Sequence, residues 1–176
     1  MRVLGIDPGS RATGYGVVAQ EGPRLERVAG GVIRVGEGEL TRRLAAIAAA
    51  LEAVLLETRP DCVALEAVFS ARNPRSALLL GQARGAALVA CGRVGLAGAE
   101  YSPAEVKRAV TGHGGADKAQ VQRMVRRLLG LAEAPASDEA DALAVAICHA
   151  HVHASPLVPA RPPRSRSGTR RRWSAR

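Results

Sequence analysis

The stretch from Leu4 to Gly16, LGIDPGSRATGYG, restricts the possible folds of this chain more than any other. Val3, Leu4, Gly5 and Ile6 form a short run that reads as a buried strand, and the run ends on a carboxylate, Asp7, followed at once by Pro8 and Gly9. Proline cannot donate to a sheet ladder, and glycine accepts backbone angles that other residues avoid. Asp7 is therefore expected at the C-terminal edge of the strand, where α/β proteins bind ligands. The competing reading is an ordinary turn aspartate, because Asp is common before Pro-Gly.

The remainder of the chain supplies a sheet for this strand. Tyr15 to Gln20 reads as a second strand and Leu25 to Val35 as a third, the three forming an antiparallel meander. Leu40, Leu44, Ile47, Leu51, Val54 and Leu55 recur at steps of three and four and predict a helix that stops at Arg59-Pro60. Cys62 to Leu65 is a further short strand, and it too ends on an acid, Glu66. A polar loop from Ala67 to Asn73 carries Phe69, and Pro74 opens a helix running to about Gly92 that is rich in small residues, including Gly81 and Gly85. Val94 to Tyr101 reads as a fifth strand. Ser102-Pro103-Ala104-Glu105 has the form of a capping box and begins a helix that carries Lys107. Beyond a glycine-rich loop, Thr111 to Ala116, another helix begins near Asp117 with Lys118 in its first turn, where a cation opposes the helix dipole. The last helix starts at Ser137. It places Asp138 and Asp141 on one face, where acids are also favoured simply as helix-start residues. His149, His151 and His153 cannot share one helical face, and their position predicts a frayed helix end rather than a metal site.

Charge is unevenly distributed. Seven arginines and no acids lie from Ser155 onward, which leaves 18 basic and 16 acidic residues in the rest of the chain. Two parts are expected: a domain over residues 1–154, and a basic Pro, Ser and Arg-rich tail over 155–176 whose composition predicts disorder and nonspecific contact with polyanion phosphates. Lys107 and Lys118 are the only lysines beside 23 arginines. Three scattered cysteines, Cys62, Cys91 and Cys148, have neither metal-finger spacing nor the even count of a disulfide framework. With no signal-peptide pattern and no uninterrupted apolar stretch of spanning length, the chain reads as soluble and cytoplasmic, with no membrane partner.

The element order, three strands, helix, strand, helix, strand and then helices, is that of an α/β ribonuclease-H-like domain: a mixed five-stranded sheet flanked by helices. There the first and fourth strands are neighbours, which brings Asp7 to Glu66, and the last helix can bring Asp138 and Asp141 to the same place. Like charges about 4 Å apart repel by roughly 4 kcal/mol at an effective dielectric near 20, so four ionised carboxylates at one site require cations. Oxygen donors select Mg²⁺, two ions per site, or Mn²⁺ in its place, and such a pair suits in-line phosphodiester hydrolysis.

With these blocks assembled, the chain resembles the RuvC family of bacterial Holliday-junction resolvases. The likeness rests on GIDPGSRATGYG, LEAVFSARNPRSALLLGQARG, VKRAVTGHGGADKAQV and SDEADALAVAICHAH, in the family's order and spacing. The resemblance implies a magnesium-dependent endonuclease that acts in recombination and repair. Such an enzyme resolves four-way DNA junctions by paired symmetric nicks, leaving 5′-phosphate and 3′-hydroxyl ends. It implies that Asp7, Glu66, Asp138 and Asp141 are the metal-binding catalytic positions, although some members carry histidine at the position of Asp138. Phe69 matches the aromatic that the family inserts at the exchange point; Arg72 and Asn73, close behind it, are counted with it as DNA contacts. Lys107 and Lys118 match basic positions near the scissile phosphate. A homodimer is implied, with a junction-binding tetramer and a branch-migration motor as partners. Two other classes compete. Actin-like ATPases and sugar kinases share the strand-Asp-Gly opening, but they need two such domains and further phosphate loops. A noncatalytic junction-binding module would have no activity for Asp7→Asn to remove.

Overall fold

In a computed structural model, which describes residues 1–67 and 73–154, the opening run becomes the central strand of a sheet. Phe69 and Arg72, and the basic tail 155–176, lie outside the described residues. Strands β1 (Arg2–Asp7), β2 (Ala12–Glu21) and β3 (Arg24–Arg34) form the meander, followed by α1 (Leu40–Thr58), β4 (Cys62–Glu66), α2 (Pro74–Arg93) and β5 (Gly98–Tyr101). Helices α3 (Pro103–Thr111), α4 (Lys118–Leu128) and α5 (Ser137–Ala154) complete the order. The sheet runs β3-β2-β1-β4-β5. β1 is antiparallel to β2 and parallel to β4, with Ile6 opposite Leu65, so Asp7 and Glu66 end neighbouring strands on the same edge.

Both faces of β1 are covered. Leu4 and Ile6 pack with Ile47, Leu51 and Leu55 of α1 and with Ala83, Ala87 and Ala90 of α2. Val3 faces the other way, toward Leu143, Ala146 and Ile147 of α5 and toward Val106, Val121 and Val125 of α3 and α4. Leu143 and Ile147 are wholly buried, each contributing about 1.5–3 kcal/mol of apolar burial. Almost every α5 residue from Ala140 to Ala150 is buried, as expected for a helix that is apolar all round and enclosed on all sides.

That enclosure depends on a transverse row of small residues. Gly30, Gly16 and Gly5 are cross-strand partners in β3, β2 and β1, and Ala64 continues the row in β4. A Cβ on Gly5 would lie 2.0 Å from the Ala142 carbonyl oxygen, and one on Gly16 would lie 2.6 Å from the Leu143 side chain. The row is a trough, and α5 lies in it.

The structure bears out the ribonuclease-H-like sheet and the capping box at Ser102, and shows a second capping box, at Asp117 with Gln120, where a helix start was expected. Two local expectations are corrected. β5 is four residues long rather than beginning at Val94, because the Val94 N–H caps α2 on Cys91 and Gly92 and the chain then turns through Gly95 at φ 78°. The histidine end of α5 is helical to Ala154 rather than frayed. His149 is 4% exposed, its Nδ1 is 2.8 Å from the Tyr101 hydroxyl, and burial pushes its pKa down to about 4. His153 stacks near His149 with ring centroids 4.3 Å apart, whereas His151 Nδ1 lies 3.0 Å from the Ala109 carbonyl oxygen, so the three do not share one face: His151 points away from the other two.

Candidate active site

Asp7 ends β1 because the chain must turn at once into β2. The turn is tied by Thr13, whose hydroxyl donates to the Gly9 carbonyl at 3.0 Å and accepts the Gly9 N–H at 3.3 Å. Thr13 is wholly buried, and a Cβ on Gly9 would lie 2.1 Å from the Ala12 carbonyl oxygen, so the turn is tight where it leaves the acid. Arg43 of α1 donates to the Ser10 carbonyl and anchors the turn from the other side.

The second half of the site is the first turn of α5. Gly14, the cross-strand partner of Asp7, lets this turn approach: a Cβ there would lie 1.9 Å from the Asp138 carbonyl oxygen. Carboxylate oxygens of Asp7, Asp138 and Asp141 consequently lie within 4.8 Å of one another. Glu66 is not one of these three. It shares a cavity of about 230 Å³ with Asp141, Lys107 and Lys118.

Electrostatics match this crowding. Burial, reinforced by Asp141, Glu66 and Asp138 in that order, pushes the Asp7 carboxyl up to about 7, and Lys118 opposes the shift. Burial and then Asp141 also raise Glu66, against the pull of Lys107 and Lys118. Lys118 Nζ sits 2.7 Å from an Asp141 oxygen, and this hydrogen bond holds its pKa above the usual lysine value. The ion pair accounts for a lysine at a helix start that the dipole alone would disfavour. Three clustered carboxylates offer only hard oxygen donors, and the lysine offsets part of their charge, so the arrangement suits a divalent cation such as Mg²⁺ or Mn²⁺.

The remaining candidates separate. Lys107 and Lys118 both line the cavity with Glu66 and Asp141. Asn73 caps α2, its Oδ1 accepting the Ser76 N–H at 2.8 Å, and is exposed. Phe69 and Arg72 are outside the described residues.

Sequence reasoning passed over Glu139 and Arg27. Glu139 is 8% exposed, and its Oε1 accepts from Arg27 Nε at 2.9 Å and lies 2.7 Å from the second guanidinium nitrogen. A helical step of about 100° per residue turns Glu139 off the Asp138 and Asp141 face. That step was the available signal, but nothing in the pattern indicated its partner.

A sheet ordered β3-β2-β1-β4-β5, with an acidic group at the ends of its central strands and at the start of its last helix, defines a ribonuclease-H-like domain with a potential metal-binding centre. The profile of "Crossover junction endodeoxyribonuclease RuvC" matches residues 3–149. A Marinobacter nauticus protein of that name is 56% identical over 159 residues, covering 90% of this chain and 91% of its own. A Stutzerimonas stutzeri protein of the same name is 55% identical over 157 residues, covering 89% and 90%. The solved structure of Thermus thermophilus RuvC in complex with Holliday junction substrate superposes with a TM-score of 0.84 at 41% identity, covering 88% of this chain and 95% of that one. The chain belongs to the RuvC family of crossover junction endodeoxyribonucleases. No helix among the described residues is long and apolar enough to cross a membrane.

Proposed function

We propose that this chain is a structure-selective endonuclease that resolves four-way DNA junctions by Mg²⁺-dependent phosphodiester hydrolysis. The observation that carries the reading is the convergence of Asp7, Asp138 and Asp141 within 4.8 Å, beside Glu66 and the only two lysines, in a chain of this family. In this reading Asp7, Glu66, Asp138 and Asp141 would hold two Mg²⁺ ions, with Mn²⁺ able to substitute. Divalent cations bound there supply an activated water near neutral pH and charge stabilisation at the scissile phosphate. Asp7 and Glu66 fix one side of the site from the ends of paired strands, and Asp138 and Asp141 close it from α5. Lys118, ion-paired to Asp141, and Lys107, which reaches the same cavity from α3, would offset the charge of a phosphate held against the carboxylates. The products carry 5′-phosphate and 3′-hydroxyl ends.

Residues 1–154 form the nuclease domain in this reading, with 155–176 a basic extension that meets DNA phosphates. Phe69 enters the junction at its exchange point, with Arg72 and Asn73 nearby. Two copies form a symmetric dimer that makes paired nicks, alongside a junction-binding tetramer and a branch-migration motor in the cytoplasm.

The test is cleavage of a synthetic four-way junction in Mg²⁺, with linear duplex and single strands as controls, by wild type and Asp7→Asn. Symmetric nicks confined to the junction are expected from the wild type, with Asp7→Asn binding the junction and not cutting it. Tight junction binding without cleavage by the wild type would overturn the catalytic reading in favour of a binding module, and ATP hydrolysis without junction cleavage would favour the kinase-like alternative.

A further inference from the structure

The metal-site reading leaves unexplained a nearly buried ion pair on the far side of the acidic turn. Arg27 is 33% and Glu139 11% exposed at the side chain. The guanidinium Nε donates to Glu139 Oε1 at 2.9 Å, and a second nitrogen, 2.7 Å from the same oxygen, donates to the Gly30 carbonyl at 3.0 Å. The register of β3 makes this possible. Val17 pairs with Ala29 and Val18 with Arg27, so Val28 is an extra, bulged residue. Without the bulge, Arg27 and Gly30 would face opposite sides of the sheet; with it, both face α5. Gly30 then supplies the space, because a Cβ there would lie 2.5 Å from Glu139 Oε1. A bulge, a glycine and an arginine thus converge on one carboxylate located between Asp138 and Asp141 in sequence.

Partly buried ion pairs add little stability over apolar residues of the same volume, so stability is a poor reason for this arrangement. We infer that the Arg27–Glu139 pair, seated on Gly30 at the β3 bulge, is a positioning device: it fixes the rotation and depth of the first turn of α5, and so the approach of Asp138 and Asp141 to Asp7. The inference rests on reading those three carboxylates as the metal site. In this role Arg27 and Glu139 act through the helix backbone and not by contact with metal or DNA.

Direct Mn²⁺ binding to the full chain without DNA, read as free Mn²⁺ by electron paramagnetic resonance, tests it. Arg27→Met removes a positive charge near the site, so electrostatics alone predicts tighter Mn²⁺ binding, whereas loss of positioning predicts weaker binding. The charge-balanced pair R27M/E139M leaves net charge unchanged and, with apolar partners in contact, keeps the fold measurable even if the single variant unfolds. The expected result is Mn²⁺ affinity about tenfold below wild type in R27M/E139M, the low end for loss of groups that orient metal ligands, at an unchanged circular dichroism spectrum. Affinity equal to or tighter than wild type in the folded variants would overturn the inference, since a merely structural pair would alter the melting temperature and leave the affinity of folded molecules alone. Asp7→Asn, measured in parallel, distinguishes the two failures: if it also binds Mn²⁺ like wild type, the metal-site reading itself falls, and the positioning role with it.

Discussion

Asp7 shows the conflict between folding and chemistry at a single residue. Its carboxyl is desolvated at a strand end and faces Asp141, Glu66 and Asp138, with only Lys118 in partial opposition, and its pKa of about 7 measures the cost of ionising it in the free protein. Between the ordinary value of 3.8 and about 7 the folded chain holds a proton that the unfolded chain has released. Stability therefore falls as pH rises through that window and is lowest above it. Asp7→Asn removes the repulsion at every pH. In a chelating buffer at pH 8 it should melt higher than wild type by several degrees, about 1–3 kcal/mol after allowing for partial exposure. The advantage should vanish near pH 4 and shrink when Mg²⁺ is added to the wild type. Calorimetric melts in chelator and in Mg²⁺ at both pH values check this; a lower melting point for the variant in chelator would mean that Asp7 makes a favourable contact that the carboxylate cluster does not account for.

Among the elements, the strands and their terminal acids were readable because an apolar run that stops on Asp7 or Glu66 carries both its period and its end in the local sequence. The capping box at Ser102 was equally local, as was the helix start near Asp117. What pattern reading could not reach was set by pairing. Gly5, Gly16 and Gly30 look like weak points within three strands until the register aligns them as one trough under α5. Likewise His149 is polar at a helix end in sequence, and its burial depends on Tyr101 arriving from β5. The trough predicts a sharp asymmetry among glycines. Gly5→Ala must displace α5 backbone at Ala142, because the obstructing atom is a carbonyl oxygen rather than the end of a flexible side chain. Urea unfolding should give a loss of about 1–3 kcal/mol or more, the cost of overpacking a filled core. A loss below about 0.5 kcal/mol, the level of an ordinary surface change, would mean that α5 rides higher on the sheet than the trough implies.

For the whole molecule, the outer face of α2 offers a seat for the second copy in the proposed dimer. Leu78, Gly81, Gly85 and Val89 follow one another at steps of three and four and so share one stripe, opposite the buried Ala83, Ala87 and Ala90. Leu78 is 65% and Val89 59% exposed, and a Cβ on Gly81 or Gly85 meets nothing within 4 Å among the described residues. In a monomer those two glycines only weaken the helix, by about 0.8–1.0 kcal/mol each relative to Ala. Between two copies related by a two-fold axis they would let the α2 helices approach closely, with Leu78 and Val89 covered from both sides. Gly85→Leu separates the cases. An isolated chain has room for the leucine and gains helix propensity, so it should melt no lower than wild type; a dimer built on this stripe is forced apart. Sedimentation equilibrium should show dimeric wild type and monomeric Gly85→Leu. The paired nicks of a four-way junction should then become uncoupled single nicks, because each carboxylate site lies within one chain and survives the separation. A variant that remains dimeric would move the interface off this stripe, and coupled nicking by a monomeric variant would break the link between dimerisation and symmetric resolution.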